Sequence, residues 1–268
     1  MRQRDLLSLS ILGLASALGL WAIFSPLLTT TTAVQHAERG MAHGEDAPFL
    51  LAGLVGLCLL VIVANLETQR MDARVVALLG VLVGLNACLR VVSGPFGASA
   101  VFFLPILCGY VLGADFGFLL AALSVLASAL LTGGLGPWLP FQMFAVGWCG
   151  MLSGFLPRFE RSGGGTIALL AFWGAVSGFL AGAILNLWFW PYLADVAPGQ
   201  GFEPGEALWV HLKRYGVFYL ATSSWWDAGR ALGNAVLLAT AGLPVLHLLE
   251  RFERRFRFQL GDTEEEAL

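Results

Sequence analysis

Hydrophobic side chains along this chain come in long runs, separated by short segments rich in charge, glycine or proline. Uncharged runs of about 20 residues match the thickness of a bilayer crossed by a helix. The pattern predicts eight helices, at about 6–28, 48–66, 74–90, 98–112, 117–132, 139–156, 166–192 and 224–248. The first opens on a basic stretch, MRQRDLL, like a signal peptide. Its apolar part is long and ends without a small-x-small cleavage site, so it reads as a span. Between the seventh and eighth runs lies PYLADVAPGQGFEPGEALWVHLKRYGVFYLATSS. Its centre predicts a short amphipathic helix, with Trp209, Tyr215, Phe218 and Tyr219 suited to an interface.

Composition narrows the class. The 268 residues are 57% apolar and 12% charged, with mean hydropathy +0.77, whereas a soluble domain carries about 25% charged residues. The expected architecture is all-α: a polytopic membrane protein of about eight transmembrane helices. The linker ETQRMDAR separates a two-helix N-terminal extension (1–70) from a six-helix core (71–258), which is followed by an acidic tail (259–268). The net charge of −3 says little, because its distribution sets orientation. With the N-terminus inside, Arg2, Arg4, Arg70, Arg74, Arg158, Arg161, Arg251, Arg254, Arg255 and Arg257 fall in inner segments, against Arg39, Arg90, Lys213 and Arg214 outside. That bias places both termini in the cytoplasm and the chain in the cell membrane.

Cys58, Cys88, Cys108 and Cys149 each lie inside an apolar run without CxxC spacing, so they read as packing residues. His36, Glu38, His43, Glu45 and Asp46 crowd one outer loop and have the chemistry of transition-metal ligands, but the plainer reading is a polar flexible loop, and no metal is expected. No GK[ST] follows Gly163-Gly164-Gly165-Thr166, and neither HExxH nor GxSxG occurs. No enzymatic activity, cofactor or nucleic-acid partner is therefore expected. The basic, aromatic HLLERFERRFRF suits the cytoplasmic lipid surface.

Small residues mark where helices approach closely in a membrane. The third run carries Ala73, Ala77, Gly80, Gly84, Ala87 and Cys88 at intervals of three or four, the sixth Gly150 and Gly154, and the seventh Gly174, Gly178 and Gly182. For the sixth and seventh runs the expectation is packing inside the chain. The third stripe, just after the linker, fits either internal packing or docking of another subunit.

Polar groups within spans are costly unless paired, and so they often mark function. Arg90, Gln142 and Asn186 fall toward the outer face, and Asp227, Arg230 and Asn234 share one helical face at i, i+3, i+7. Asp227 and Arg230 can pair. Trp138, Trp188, Trp190, Trp225 and Trp226 fall near the same side. One reading is a structural ion pair with interhelical hydrogen bonds. The preferred one is the wall of an outward-facing pocket for a polar, ring-containing solute. In Gly136-Pro137-Trp138-Leu139-Pro140-Phe141-Gln142, two prolines fix φ where a helix begins, at positions needing no N–H. That entry holds Trp138 at the interface and aims Gln142 inward.

GPWLPFQMFAVGWCGMLSGFLP, preceded by FFLPILCGYVLGADFGFLLAALSVLASALLTGG, resembles the substrate-binding S component of energy-coupling factor (ECF) transporters, and SSWWDAGRALGNAVLL resembles that family's last helix. The likeness covers about 74–257. It implies a six-helix protein binding a vitamin or related micronutrient near the outer surface, with a transmembrane coupling subunit and two ATP-binding subunits as partners. It implies a pocket drawn from Arg90, Trp138, Gln142, Asn186, Trp190, Trp225, Trp226, Asp227, Arg230 and Asn234, with the proline-bracketed entry as its lid or rim. It also implies docking through Ala77, Gly80, Gly84 and Cys88. Among substrates the motif-bearing stretch loosely resembles cobalamin-type members, so a corrinoid comes first, ahead of riboflavin, another flat vitamin or a queuosine precursor. Two features depart from the family: the extra N-terminal helices, and glycine or cysteine where the docking stripe often has alanine. A membrane scaffold without a solute site is the alternative.

Overall fold

The computed structural model describes residues 3–28, 43–44, 46–67, 71–92, 94–159, 163–193 and 196–265, with side chains described only between 10 and 254. Helices form at all eight expected positions, and the amphipathic segment folds as a ninth. They are α1 (Gln3–Leu28), α2 (Ala47–Glu67), α3 (Ala73–Val91), α4 (Phe103–Leu112), α5 (Ala114–Thr132), α6 (Leu139–Ser153), α7 (Gly164–Phe189), α8 (Leu208–Thr222) and α9 (Ser224–Glu265). Residues 94–102, the turn Gly133–Trp138, residues 190–193 and 196–207, and His43 share one end of the bundle. This is the end expected outside from the basic-residue census, and it is called the outer end below only as a label.

Six stretches are long and apolar enough to cross a membrane: Ser10–Leu28, Ala47–Glu67, Ala73–Val91, Ala114–Thr132, Gly164–Tyr192 and Ser224–Arg254. The other two apolar helices, α4 and α6, have 10 and 15 residues. They need no lipid-matched length because protein surrounds them: nearly every residue of both is buried. The chain starts α4 late, through two short 3-10 turns at Pro95–Gly97 and Ala100–Phe102. It turns from α4 into α5 on Gly113 alone, whose φ of 110° suits only glycine. Close contact then locks α4, α5 and α6 together, since a Cβ on Gly109 or Gly117 would overlap the Gly150 carbonyl.

Helix α9 runs 17 residues past the expected end at 248, because Glu250–Leu260 contains helix formers and no glycine or proline. At the other end of the chain, α1 and α2 lean on α6. Gly19 of α1 admits the Phe144 ring, and the Trp148 indole donates to Ser16 Oγ at 2.9 Å. Leu12, Leu54 and Val61 belong to the same continuous apolar core as Phe118, Leu170 and Leu246.

Candidate functional site at the outer end

Two polar nodes form at the outer end, each knitting helices that are distant in sequence. Arg90, in the last turn of α3, donates from Nη1 to Ser128 Oγ on α5 at 2.6 Å and from Nη2 to Gln142 Oε1 on α6 at 2.7 Å. Pro140 occupies the first turn of α6, so Gln142 reaches Arg90 one turn from the helix start. The α5 helix ends on Gly133 at φ 69°, with the Gly134 N–H closing back on the Ala129 carbonyl at 2.9 Å. In the turn that follows, the Trp138 indole donates to the Gly134 carbonyl at 3.3 Å and folds over Gly136.

The second node joins α7, α8 and α9. Asp227 is 2% exposed and accepts from Arg230 Nη1 at 2.6 Å and from the Tyr219 hydroxyl at 2.7 Å. Its carboxylate faces the backbone of Gly182, where any Cβ would collide with it. Above it, Asn186 donates to the Gly182 carbonyl at 2.8 Å and accepts from Ser223 Oγ at 2.6 Å. Below it, Asn234 donates to the Gly174 carbonyl at 3.0 Å. The Gly174, Gly178 and Gly182 stripe is thus the seat of α9, as expected, and Gly150 and Gly154 likewise pack against Gly117 and Ala114.

Trp190 is fully buried between Phe202 and Tyr215, with its indole donating to the Gln200 carbonyl at 2.8 Å. It anchors the segment 196–207 to α8. Arg214 completes this strap with ion pairs to Glu203 at 2.6 Å and Glu206 at 3.0 Å, and the His211 ring meets the Glu203 carbonyl at 2.8 Å. The guanidinium of Arg214 holds the Glu203 carboxyl below its ordinary range.

Eight of the ten expected pocket residues fall in these nodes or beside them. Trp225 and Trp226 do not: they are 80% and 59% exposed and point away from the Asp227 cluster. One and two residues before Asp227 correspond to about 100° and 200° of helical turn, which carries both rings off the buried face. Ser128, Ser223 and the Tyr219 hydroxyl, which sequence reading did not assign, supply partners to the expected residues.

His43 is the larger omission. It was read as part of a polar loop, yet it is 6% exposed and inserted among Phe141 of α6, Trp188 of α7 and Tyr192. Ring centroids lie 4.8 Å from Phe141, 4.9 Å from Tyr192 and 6.2 Å from Trp188. Burial pushes its imidazole down to about 4, against the opposing pull of Asp46, whose Oδ2 is 3.8 Å from Nδ1. A legible signal existed: Phe141, Phe144 and Trp148 recur at i, i+3 and i+7, an aromatic face of α6 that asks for partners. His36, Glu38 and Glu45 of the same loop lie outside the described residues. Among the described residues no group of three or more His, Cys, Asp or Glu is placed to hold a metal.

The stripe on α3 has the opposite setting to that on α7. Ala77, Gly80, Gly84 and Cys88 are all exposed, and a Cβ on Gly80 or Gly84 would meet nothing within 4 Å. An apolar groove runs beside it, lined by Ile62 of α2, Leu79 and Val83 of α3, and Leu123 and Leu126 of α5.

Among curated proteins and among solved structures nothing matches the chain. The family model described as "ECF transporter, substrate-specific component" matches residues 74–251, from the first turn of α3 into the inner part of α9. That span covers about two thirds of the sequence and takes in both polar nodes and the exposed stripe. The chain therefore belongs to the family of substrate-specific components of ECF transporters.

Proposed function

We propose that the protein captures a vitamin-like micronutrient at its outer end and passes it inward with the help of a transmembrane coupling subunit and two ATP-binding subunits. The match of the family model over α3–α9 carries this reading. Two features support it. Polar side chains of α3, α5 and α6 converge on Arg90 at the outer end. The small-residue stripe Ala77, Gly80, Gly84 and Cys88 is left open, as a surface for the coupling subunit requires. In this reading the loop from Gly133 to Trp138 forms the rim, and Gln142, Asn186, Asp227 and Arg230 line the way in. A corrinoid is the first substrate to test, followed by flat-ring vitamins. Solute identified by mass spectrometry after purification from cells grown in rich medium tests the capture; failure to recover any solute with any partner subunit contradicts it.

One observation favours a second reading, a membrane scaffold without a solute site. Arg90, Gln142, Asp227, Arg230 and Asn234 each hold a partner within the protein. The two readings part on Arg230→Ala. The variant is less stable in either case; in a transporter the molecules that fold each take up less solute, whereas in a scaffold only the yield falls.

A further inference from the structure

The imidazole of His43 occupies a cage built by the core. Phe141, Trp188 and Tyr192 come from α6, α7 and the turn after α7, while His43 belongs to the segment that starts α2. Its carbonyl accepts from the Ala47 N–H at 2.9 Å, so the ring is held at the tip of that helix. The fit in the cage is close in shape and poor in hydrogen bonding. His43 Nε2 and Trp188 Nε1 are both buried without a hydrogen-bond partner. His43 Nδ1 lies 3.8 Å from Asp46 Oδ2, beyond hydrogen-bond reach, and the unpaired Trp188 indole can only donate. The backbone of His43 also adopts φ 54°, a left-handed conformation that histidine tolerates better than β-branched residues do and that glycine takes freely. The unmet hydrogen bonds oppose insertion, and contact with three aromatic rings sustains it.

We infer that His43 is a displaceable plug, and that the cage of Phe141, Trp188 and Tyr192 takes in its place a neutral planar ring of the captured solute that offers an acceptor to Trp188 Nε1. Displacement returns the imidazole to water and satisfies the indole, which has no hydrogen-bond partner while His43 is inserted. The cage adjoins the Arg90 node: Phe141 faces His43 and the next residue, Gln142, faces Arg90. A solute with a flat ring and a polar arm would bridge the two. The N-terminal extension then supplies the gate of the site. This inference rests on solute capture at the outer end, and it narrows the solute to one with a neutral planar ring.

Protonation drives the plug out. The described titratable groups facing the ring are Asp46 and Tyr192; Phe141 and Trp188 are uncharged, and the nearby Trp188 carbonyl favours the protonated ring only weakly against its burial. Inserted, the imidazole titrates near 4, and in water about 6.5. The displaced state should therefore gain about tenfold in population for each pH unit between those values.

The test is saturable binding of indazole, which stays neutral over this range, to the full-length protein in lipid nanodiscs, measured by calorimetry against empty nanodiscs. His43→Gly empties the cage and relieves the positive φ, so indazole should bind at least tenfold tighter than to wild type at pH 7. His43→Phe fills the cage with a ring that cannot be protonated, so binding should be no tighter than wild type and should not change with pH. Wild-type binding should tighten roughly twentyfold from pH 7 to pH 5. Equal affinity in all three proteins, or no pH dependence in wild type, overturns the plug. Indazole binding needs neither partner subunits nor native solute, so it is independent of the transport reading. Tightening in His43→Gly without any co-purifying solute contradicts transport alone, whereas a co-purifying solute with three equal affinities contradicts the plug alone.

Discussion

Helices α3 and α7 carry small residues at the same four-residue spacing, yet one stripe is closed and the other open. Gly174, Gly178 and Gly182 of α7 meet Leu238, Ala231 and Asp227 of α9, so close that a Cβ at Gly178 would lie 2.7 Å from the Ala231 nitrogen. Gly80 and Gly84 of α3 meet nothing. Spacing alone therefore shows that a backbone can be approached, and not by what. The closed stripe has polar company that names its partner: Asn234 bonds the Gly174 carbonyl and Asp227 sits on Gly182. The open stripe is flanked by exposed apolar residues, Val81 and Leu85 among them. A membrane protein with such a face has either lipid or a second protein against it, and in the proposed reading the second protein is the coupling subunit.

Substitutions that treat the two stripes alike should separate them. Gly178→Leu should have the largest effect, because four extra carbons must displace the α9 backbone. We expect a loss of about 3 kcal/mol or more and little monodisperse protein in detergent. The matching change on α3, Gly84→Leu, should leave the isolated protein folded with its melting temperature intact. Co-purification of partner subunits should fall at least tenfold, because a leucine holds two backbones apart. Equal effects of the two changes on folding would erase the distinction between the stripes.

The seal on the closed side can be probed next. Arg230→Ala leaves the Asp227 carboxylate buried with only the Tyr219 hydroxyl, and should cost about 2–3 kcal/mol by thermal unfolding. Asp227→Asn added to Arg230→Ala should recover part of that loss; a larger loss in the double variant would show that Asp227 is not held by charge pairing.

Acid should loosen the closed side through His43 and spare the α3 stripe. The imidazole has a lower value inserted, near 4, than free, about 6.5. The released state binds more protons below 6.5. Insertion is then fully favoured above that pH and weakens as pH falls toward 4, by about 1 kcal/mol at pH 5.5. Hydrogen exchange of the first turn of α2 should rise over this window in wild type and stay level in His43→Phe. The smallest effect belongs to Gly80→Ala. The new methyl points into open space, and helix propensity should raise the stability of isolated protein by at most about 1 kcal/mol.

Much of this architecture was legible from hydrophobic run length. Apolar runs placed eight helices, most of their ends within a few residues, and aromatic spacing placed the amphipathic α8. Run length could not show that α4 and α6 are short and enclosed, because a buried helix and a lipid-facing one carry the same apolar residues. It also could not end α9, since Glu250–Leu260 is polar and still helical. In the candidate site, charge and position identified Arg90, Gln142, Asp227 and Arg230. Their partners Ser128 and Tyr219 were hidden because a hydroxyl inside an apolar run is an ordinary residue until a neighbour reaches it. Trp225 and Trp226 lie beside Asp227 in sequence yet on an exposed side of α9, and His43 is buried although polar residues surround it in sequence.

The most direct test of substrate capture is native mass spectrometry of the tagged full-length chain, released gently from membranes of cells grown in rich medium. The expected spectrum contains the chain with one bound small molecule and a larger assembly with a coupling subunit and two ATP-binding subunits. A spectrum of the bare chain alone, with neither solute nor partners, would contradict the reading.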